Sequence, residues 1–570
     1  MSKLRSLLIS AHAFSAGLSG WRRYGLAFLL GVLTALTMAP YYLLPLLVVG
    51  FSGFVWLMDA AGRAPSVRRV SFMLGWWFAF GYLYLSLYWM AFSFVHTASD
   101  SSQAVLLLVM GFAGVAGLAG FIALFYGAAA LVMRQFWTDD WTRVLVLVVL
   151  WSIAEYARGH VLTGLPWNLT GQAFAGVPAL AQPAAWIGPY GLGVLVLMLA
   201  VLPALSVGRS GSESDYQHLS VQVSFRPIAI VAAGFSVMLI FGITRLALNP
   251  VVYHPDIKVQ VVQPNVAQAD KINPALFPQN FLAAFNLSGG EALERLEPDE
   301  ELYIIWPENA AYDYFQRDQT ALDLLQEALP VNAVLVSGAI RIEQKNPDTE
   351  RFYNSLHVIR DMPVPDNLAR SQLQELGMET RRRMIVNSYD KHHLAPFGEY
   401  VPLIGLFRAL GIDKLVPLNN GLSRGNGPSV LNIGKTLMAP VICYETIFPG
   451  RMYPEGQRPD WMVTVTNDAW FGDSVGPKQH LAQARLRSIE TGLPMVRSAN
   501  TGISAIIGPA GRILDRIPLQ ESGTVFSRLP QATGRTLYDR LGDIPYFLMI
   551  LILCGVVLRY RLAAKQVNSA

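Results

Sequence analysis

Cysteine is almost missing: 570 residues contain Cys443 and Cys554 alone, the second inside a terminal apolar run. That argues against a disulfide framework as the source of stability. Charge is scarce as well. Asp, Glu, Lys and Arg make up 15% of the chain while apolar types make up 52%, against about a quarter charged in an ordinary soluble protein. Neither sign dominates, since the formal net charge is +4. There is no basic run to track phosphates, so composition offers nothing for nucleic acid. No internal repeat is present.

What is abundant is long apolar runs, and they are unevenly placed. Residues 24–248 hold most of them, whereas 250–535 has ordinary polarity. The expected organisation is a multi-pass α-helical membrane domain over 1–248 with about seven spans, a globular domain over 249–543, and a C-terminal span and tail over 544–570. Candidate spans are 24–39, 42–60, 70–95, 104–133, 143–157, 185–207, 227–248 and 544–562. About 20 apolar residues cross a bilayer, so the first and fifth are short, and 143–157 carries the weakest signal. Arg63, Arg68, Arg69, Arg134, Arg143, Arg209 and Arg226 lie in alternate loops, and Arg559, Arg561 and Lys565 follow the last run. By the positive-inside tendency both termini then face the cytoplasm and the globular domain faces the other side.

Inside the weakest run, Glu155 and Arg158 stand three apart, on one helix face, ahead of Gly164-Leu165-Pro166-Trp167-Asn168. Two readings are open: a structural ion pair, or a polar lining near a lipid path. The globular part alternates β-branched runs with helical patterns, which indicates a layered α/β domain with its chemistry at strand ends. Strands are expected over 257–262, 302–306, 334–340, 355–359, 384–389, 437–443, 461–466 and 502–507.

Three strand-end motifs stand out: Trp306-Pro307-Glu308-Asn309, the block from Lys391 to Pro402, and Cys443-Tyr444-Glu445. Singly, each has a plain structural reading, Cys443 as a small core residue, Glu308 as a loop acid, Lys391 as a surface lysine. Together they supply what acyl transfer through sulfur requires. A base or cation beside the thiol makes a thiolate available. A carboxylate takes the proton, and an ammonium with a backbone N–H stabilises the oxyanion.

Glu308, Lys391 and Cys443, in this order and with these flanks, resemble the Glu–Lys–Cys triad of the nitrilase (carbon–nitrogen hydrolase) superfamily. Together with Asn467-Asp468-Ala469-Trp470-Phe471-Gly472 they resemble, more narrowly, the apolipoprotein N-acyltransferase family. The resemblance implies an αββα nitrilase-like sandwich on the periplasmic side of a bacterial inner membrane. It implies Glu308 as general base, Cys443 as nucleophile through a thioester, and Lys391 with the Tyr444 N–H at the oxyanion. Glu399 would hold Lys391 or assist proton transfer, and Glu445 would support the cysteine loop. Phe397, Leu403, Phe407 and Trp470 are candidates for substrate binding, with an apolar arm over 402–407 either dipping into the bilayer or packed on the domain.

The implied partners are a phospholipid acyl donor, a diacylglyceryl apolipoprotein acceptor and the membrane. No metal, no soluble cofactor and no nucleic acid is implied, and a monomer is expected. The chain departs from the family pattern once. Val262-Gln263-Pro264-Asn265 and Lys271-Ile272 stand where the family has a Gly and a Lys-Trp pair, so a stacking role for that tryptophan is absent at Ile272. Two rival functions remain open on sequence: a membrane-tethered amidase or nitrilase hydrolysing a small amide, and a non-catalytic membrane scaffold.

Overall fold

The computed structural model describes residues 2–569 except 63, 98–99, 211–219, 347–348, 364–370, 372–380, 401–420 and 451. It divides into two compact units. One comprises 1–249, 474–490 and 535–570, the other 250–473 and 491–534.

In the first unit, five helices among the described residues are long and apolar enough to cross a membrane: Val67–His96, Ser101–Gln135, Ala184–Ser206, Arg226–Leu248 and Ile544–Gln566. The other three expected runs form Trp21–Ala35, Pro45–Ala61 and Thr142–His160. The first two are short, 15 and 17 residues. The third carries Arg143, Glu155 and Arg158, which is why its apolar signal is weak.

Those charges are spent internally. Arg143 pairs with Asp59 at 3.1 Å. Arg158 donates to the Tyr126 hydroxyl at 2.7 Å and to the carbonyls of Leu165, Trp167 and Asn168 at 2.7, 2.9 and 3.0 Å. The Glu155 carboxylate accepts from the Thr170 N–H and hydroxyl at 2.8 and 2.7 Å. Both side chains are buried and 3.9 Å apart. Extended backbone has unpaired carbonyls, and in apolar surroundings an unmet polar group costs several kcal/mol. The pair satisfies the loop over 165–170, so packing favours the structural reading. Trp151, one turn earlier, anchors the same helix against Phe51, Phe54, Phe78 and Tyr126.

The second unit is built on two six-stranded sheets. Its strands are β1 Tyr253–Gln263, β2 Glu301–Trp306, β3 Ala333–Asn346, β4 Thr349–Pro363, β5 Arg381–Asp390, β6 Leu431–Asn432, β7 Leu437–Ile442, β8 Trp461–Thr466, β9 Met495–Ala499, β10 Ser504–Ile507, β11 Ile513–Ile517 and β12 Gly523–Pro530. The orders are β12-β1-β2-β3-β4-β5 and β11-β10-β9-β8-β7-β6. In each sheet three adjacent strands run parallel, β1-β2-β3 and β7-β8-β9, and the outer ones are antiparallel.

Alternation sorts the side chains between two cores. Val259, Val261, Tyr303, Ile305, Val334 and Val336 face Ile442, Trp461, Val463, Val465 and Val496 between the sheets. Leu302, Ile304, Trp306, Ala333 and Leu335 face Phe281, Ala284, Leu322 and Leu325 of the covering helices Phe277–Leu287 and Gln319–Ala328. The eight expected strands are all present. β9 is missed by a hydrophobicity reading because Arg497 and Ser498 interrupt it; both are wholly buried.

Candidate active site

Parallel strands put their C-terminal ends on one edge, and the three motifs lie just beyond β2, β5 and β7. Pro307 ends β2, since it has no N–H to continue a ladder. The turn after it lies flat on β3: a Cβ on Gly338 would stand 2.5 Å from the Glu308 Cα and 2.6 Å from the Pro307 carbonyl. Only glycine permits that approach. The Ala310 N–H closes the contact onto the Gly338 carbonyl at 3.0 Å. Asn309, Tyr312, Phe397 and Cys443 all have positive φ, between 42° and 63°, a conformation non-glycine residues adopt at a cost and mostly at functional sites.

The Lys391 ammonium is the centre of the cluster. It meets Glu399 at 2.9 Å and Glu308 at 3.7 Å, with its side chain 1% exposed. Asn354, on β4, donates to both carboxylates at 2.7 Å and holds them apart. Glu399 is fixed further by the Ala395 N–H at 2.7 Å, and Lys391 by its own N–H to the Asn354 carbonyl at 2.8 Å. Burial opposes the lysine charge, but Glu399 and Glu308, with the Cys443 sulfur, raise it above the usual lysine range.

Cys443 opens a short 3-10 turn, Cys443–Ile447, directly after β7. Burial pushes its thiol up to about 12, the Glu308 charge adds to that, and Lys391 and the Thr466 hydroxyl act in the opposite sense. Glu445 ties this turn to the Lys391 loop. Its carboxylate accepts from the N–H groups of Ile442, His392 and His393 at 2.8, 2.8 and 3.1 Å and from the Tyr389 hydroxyl at 2.9 Å. Burial works against ionisation of Glu445, yet the His392 ring, the Ile442 N–H and Lys391 outweigh it and hold the group below the usual carboxylate range.

Of the other candidates, Tyr444 is half-buried with its ring against Phe448 and His393. Phe397 is 65% exposed and Trp470 36% exposed. Leu403 and Phe407, with the arm over 402–407, lie outside the described residues. Sequence reasoning passed over Asn354 and Thr466, and noted Lys271 only beside Ile272, with no role at the site. Asn354 had one signal, a polar pair Asn354-Ser355 interrupting a strand between Tyr353 and Leu356. It also missed an open groove of about 460 Å³ lined by Phe277, Tyr312, Tyr314, Ile340, Ile342 and Phe352 together with the charged Asp313, Arg317 and Asp318.

Chemically, a thiol, a carboxylate and an ammonium held in one buried cluster can carry nucleophilic substitution at a carbonyl. Comparison with known proteins leads the same way. A family model for the apolipoprotein N-acyltransferase N-terminal domain matches residues 30–202, and one for carbon–nitrogen hydrolase matches 301–538. A Rhodopseudomonas palustris protein named apolipoprotein N-acyltransferase is 35% identical over 551 residues, 95% of this chain and 96% of that one. A Bradyrhizobium diazoefficiens protein of the same name is 35% identical over 556 residues, 96% of each chain. One from Brucella suis is 35% identical over 524 residues, 90% of this chain and 91% of its own. Matched at both of its parts and aligned with these relatives over nearly their whole length, the chain belongs to the apolipoprotein N-acyltransferase family.

Proposed function

We propose that this protein moves an acyl chain from a membrane phospholipid to the free α-amine of a diacylglyceryl-cysteine at the start of a lipoprotein, through a thioester on Cys443. The observation that carries the reading is Lys391 set between Glu308 and Glu399 in electrostatic contact with the Cys443 sulfur. The Cys443 proton passes to Glu308, and the thiolate adds to the ester carbonyl. Lys391 faces the oxyanion. The C–O bond then breaks, and the leaving lysophospholipid oxygen takes the proton back from Glu308. In the second half the neutral amine adds to the thioester carbonyl and gives a proton to Glu308. The C–S bond breaks, and Cys443 regains its proton. Glu399 and Asn354 keep Lys391 charged and aimed, and Glu445 holds the cysteine turn.

The membrane helices support the choice of substrates. Both are bilayer-anchored, and extracting one would cost roughly 0.8 kcal/mol per CH₂. The arginine distribution supports a catalytic unit on the periplasmic face of a bacterial inner membrane, acting as a single chain. Exposed Phe397 and Trp470, and the aromatic groove beside the Glu308 turn, are the proposed acyl contacts.

The test is mass spectrometry of the purified full-length protein after incubation with phospholipid vesicles. An acyl adduct on Cys443, discharged by a diacylated lipopeptide with a free amine, is expected. A competent preparation that forms no adduct would overturn the reading, and adduct discharge by water alone would favour an amidase-like hydrolase.

A further inference from the structure

One amine near the sulfur has no part in that mechanism. Lys271 ends the short helix Gln268–Lys271, and its ammonium donates to the Glu308 backbone carbonyl at 2.5 Å. It also interacts electrostatically with the Glu308 carboxylate and the Cys443 sulfur. The loop that delivers it is locked to the strand ends beside the nucleophile. The Asn265 and Val266 N–H groups both donate to Asn500 at 3.0 Å, just past β9. Asn467, just past β8, donates to the Gln268 side chain at 2.8 Å and accepts from Asn500 at 3.1 Å. A lysine held by that many buried amides is placed rather than left to wander.

Charge explains why such placement matters. The ionisable groups facing the sulfur are Glu308, Lys391 and Asp468, with Glu399 behind Lys391. Asp468 is already paired with Arg497 at 2.7 Å, both wholly buried. Asp270, next to Lys271 on its own helix, is exposed. Without Lys271, Lys391 alone would face Glu308 and Glu399, and a thiolate formed beside them would meet an excess of negative charge. With Lys271 the cluster is balanced before and after the thiol proton moves to Glu308. We propose that Lys271 is a positioning residue of this site, its ammonium clamping the Glu308 turn and stabilising the Cys443 thiolate.

The inference deepens the acyl-transfer reading, but its test uses a reagent that needs no lipid. In the full-length protein, iodoacetamide alkylation of Cys443 is followed by peptide mass spectrometry from about pH 6 to about pH 10. Lys271→Met is expected to alkylate Cys443 roughly tenfold more slowly near neutrality, where the wild-type ammonium is charged, the effect of about one unit in the ionisation of the thiol. Lys271→Arg keeps the charge and is expected to react like the wild type near neutrality. Burial brings Lys271 itself down to about 8, against the pull of Glu308 and Cys443. The wild-type profile should therefore bend near there as the ammonium is lost, and Lys271→Arg should remove the bend. A Met variant that alkylates at the wild-type rate near neutrality overturns the proposal. Should that variant not fold, an Arg variant that retains the bend overturns it equally. Failure of acyl transfer would appear instead as a missing lipid adduct with these alkylation shifts intact.

Discussion

At the scale of the residue, the geometry makes Cys443 and Glu308 unequal partners. In the proposed mechanism the sulfur forms the bond to the acyl carbon, so Cys443→Ala should abolish both turnover and adduct. Glu308→Gln keeps size and the Asn354 contact but not basicity, and turnover should fall about 10²–10⁴-fold; near-wild-type turnover in that variant would contradict its role. A second residue-scale effect concerns stability. His357 on β4 is 1% exposed, with Nδ1 on the Ser388 hydroxyl at 2.7 Å, and burial lowers it to about 4. A histidine held neutral in the folded state stabilises fully above its unfolded value near 6.5 and progressively less as pH falls toward 4. The whole effect is roughly 3 kcal/mol. Thermal melts of the wild type should lose stability over that window, and His357→Gln should lose less of it.

At the scale of the element, strands end where chemistry begins because something stops each ladder. Pro307 stops β2, and Gly338 on β3 leaves the space into which the Glu308 turn settles. Gly338→Ala should be felt first as lost activity, since its Cβ must displace the backbone of Glu308, the proposed base. The stability cost is about 1–3 kcal/mol, the ordinary range for overpacking. Turnover against melting temperature separates the two; activity equal to wild type would show that the turn can relax. The edge strand β5 of the same sheet shows how a polar strand residue becomes structural. Arg383 is buried and donates to the carbonyls of Leu325, Ala333, Leu329 and Pro330 at 2.6–2.9 Å. It binds the end of the helix Gln319–Ala328 to the start of β3, fixing the frame behind the Glu308 turn.

At the scale of the whole molecule, the two units obey different solvent rules. In the catalytic unit, water can satisfy a polar group that loses its partner near the surface. Among apolar helices it cannot, and Arg158 carries four hydrogen bonds there. Arg158→Met should strand Glu155 and three carbonyls together, costing roughly 3–5 kcal/mol. Detergent-solubilised protein should then unfold at markedly lower temperature, while Arg382→Met, an exposed change on β5, should leave the melt unaltered. Equal melts for both would mean that the loop over 165–170 finds other partners.

Much of this was written along the chain. Apolar runs, strand-length β-branched segments and three strand-end motifs are local patterns, set by the bilayer's thickness and by the alternation of a strand, and they are readable without neighbours. The family resemblance rests on the same local strings. What only the folded chain decided is where polar side chains in apolar segments spend their hydrogen bonds. Arg158, Arg383 and Arg497 look like surface or lining residues until their acceptors are known. Lys271 and Asn354 look ordinary for the same reason. Their roles come from backbone carbonyls and carboxylates delivered by other strands, and a single sequence carries hydrophobic period far more plainly than it carries the pairing of one buried polar atom with another.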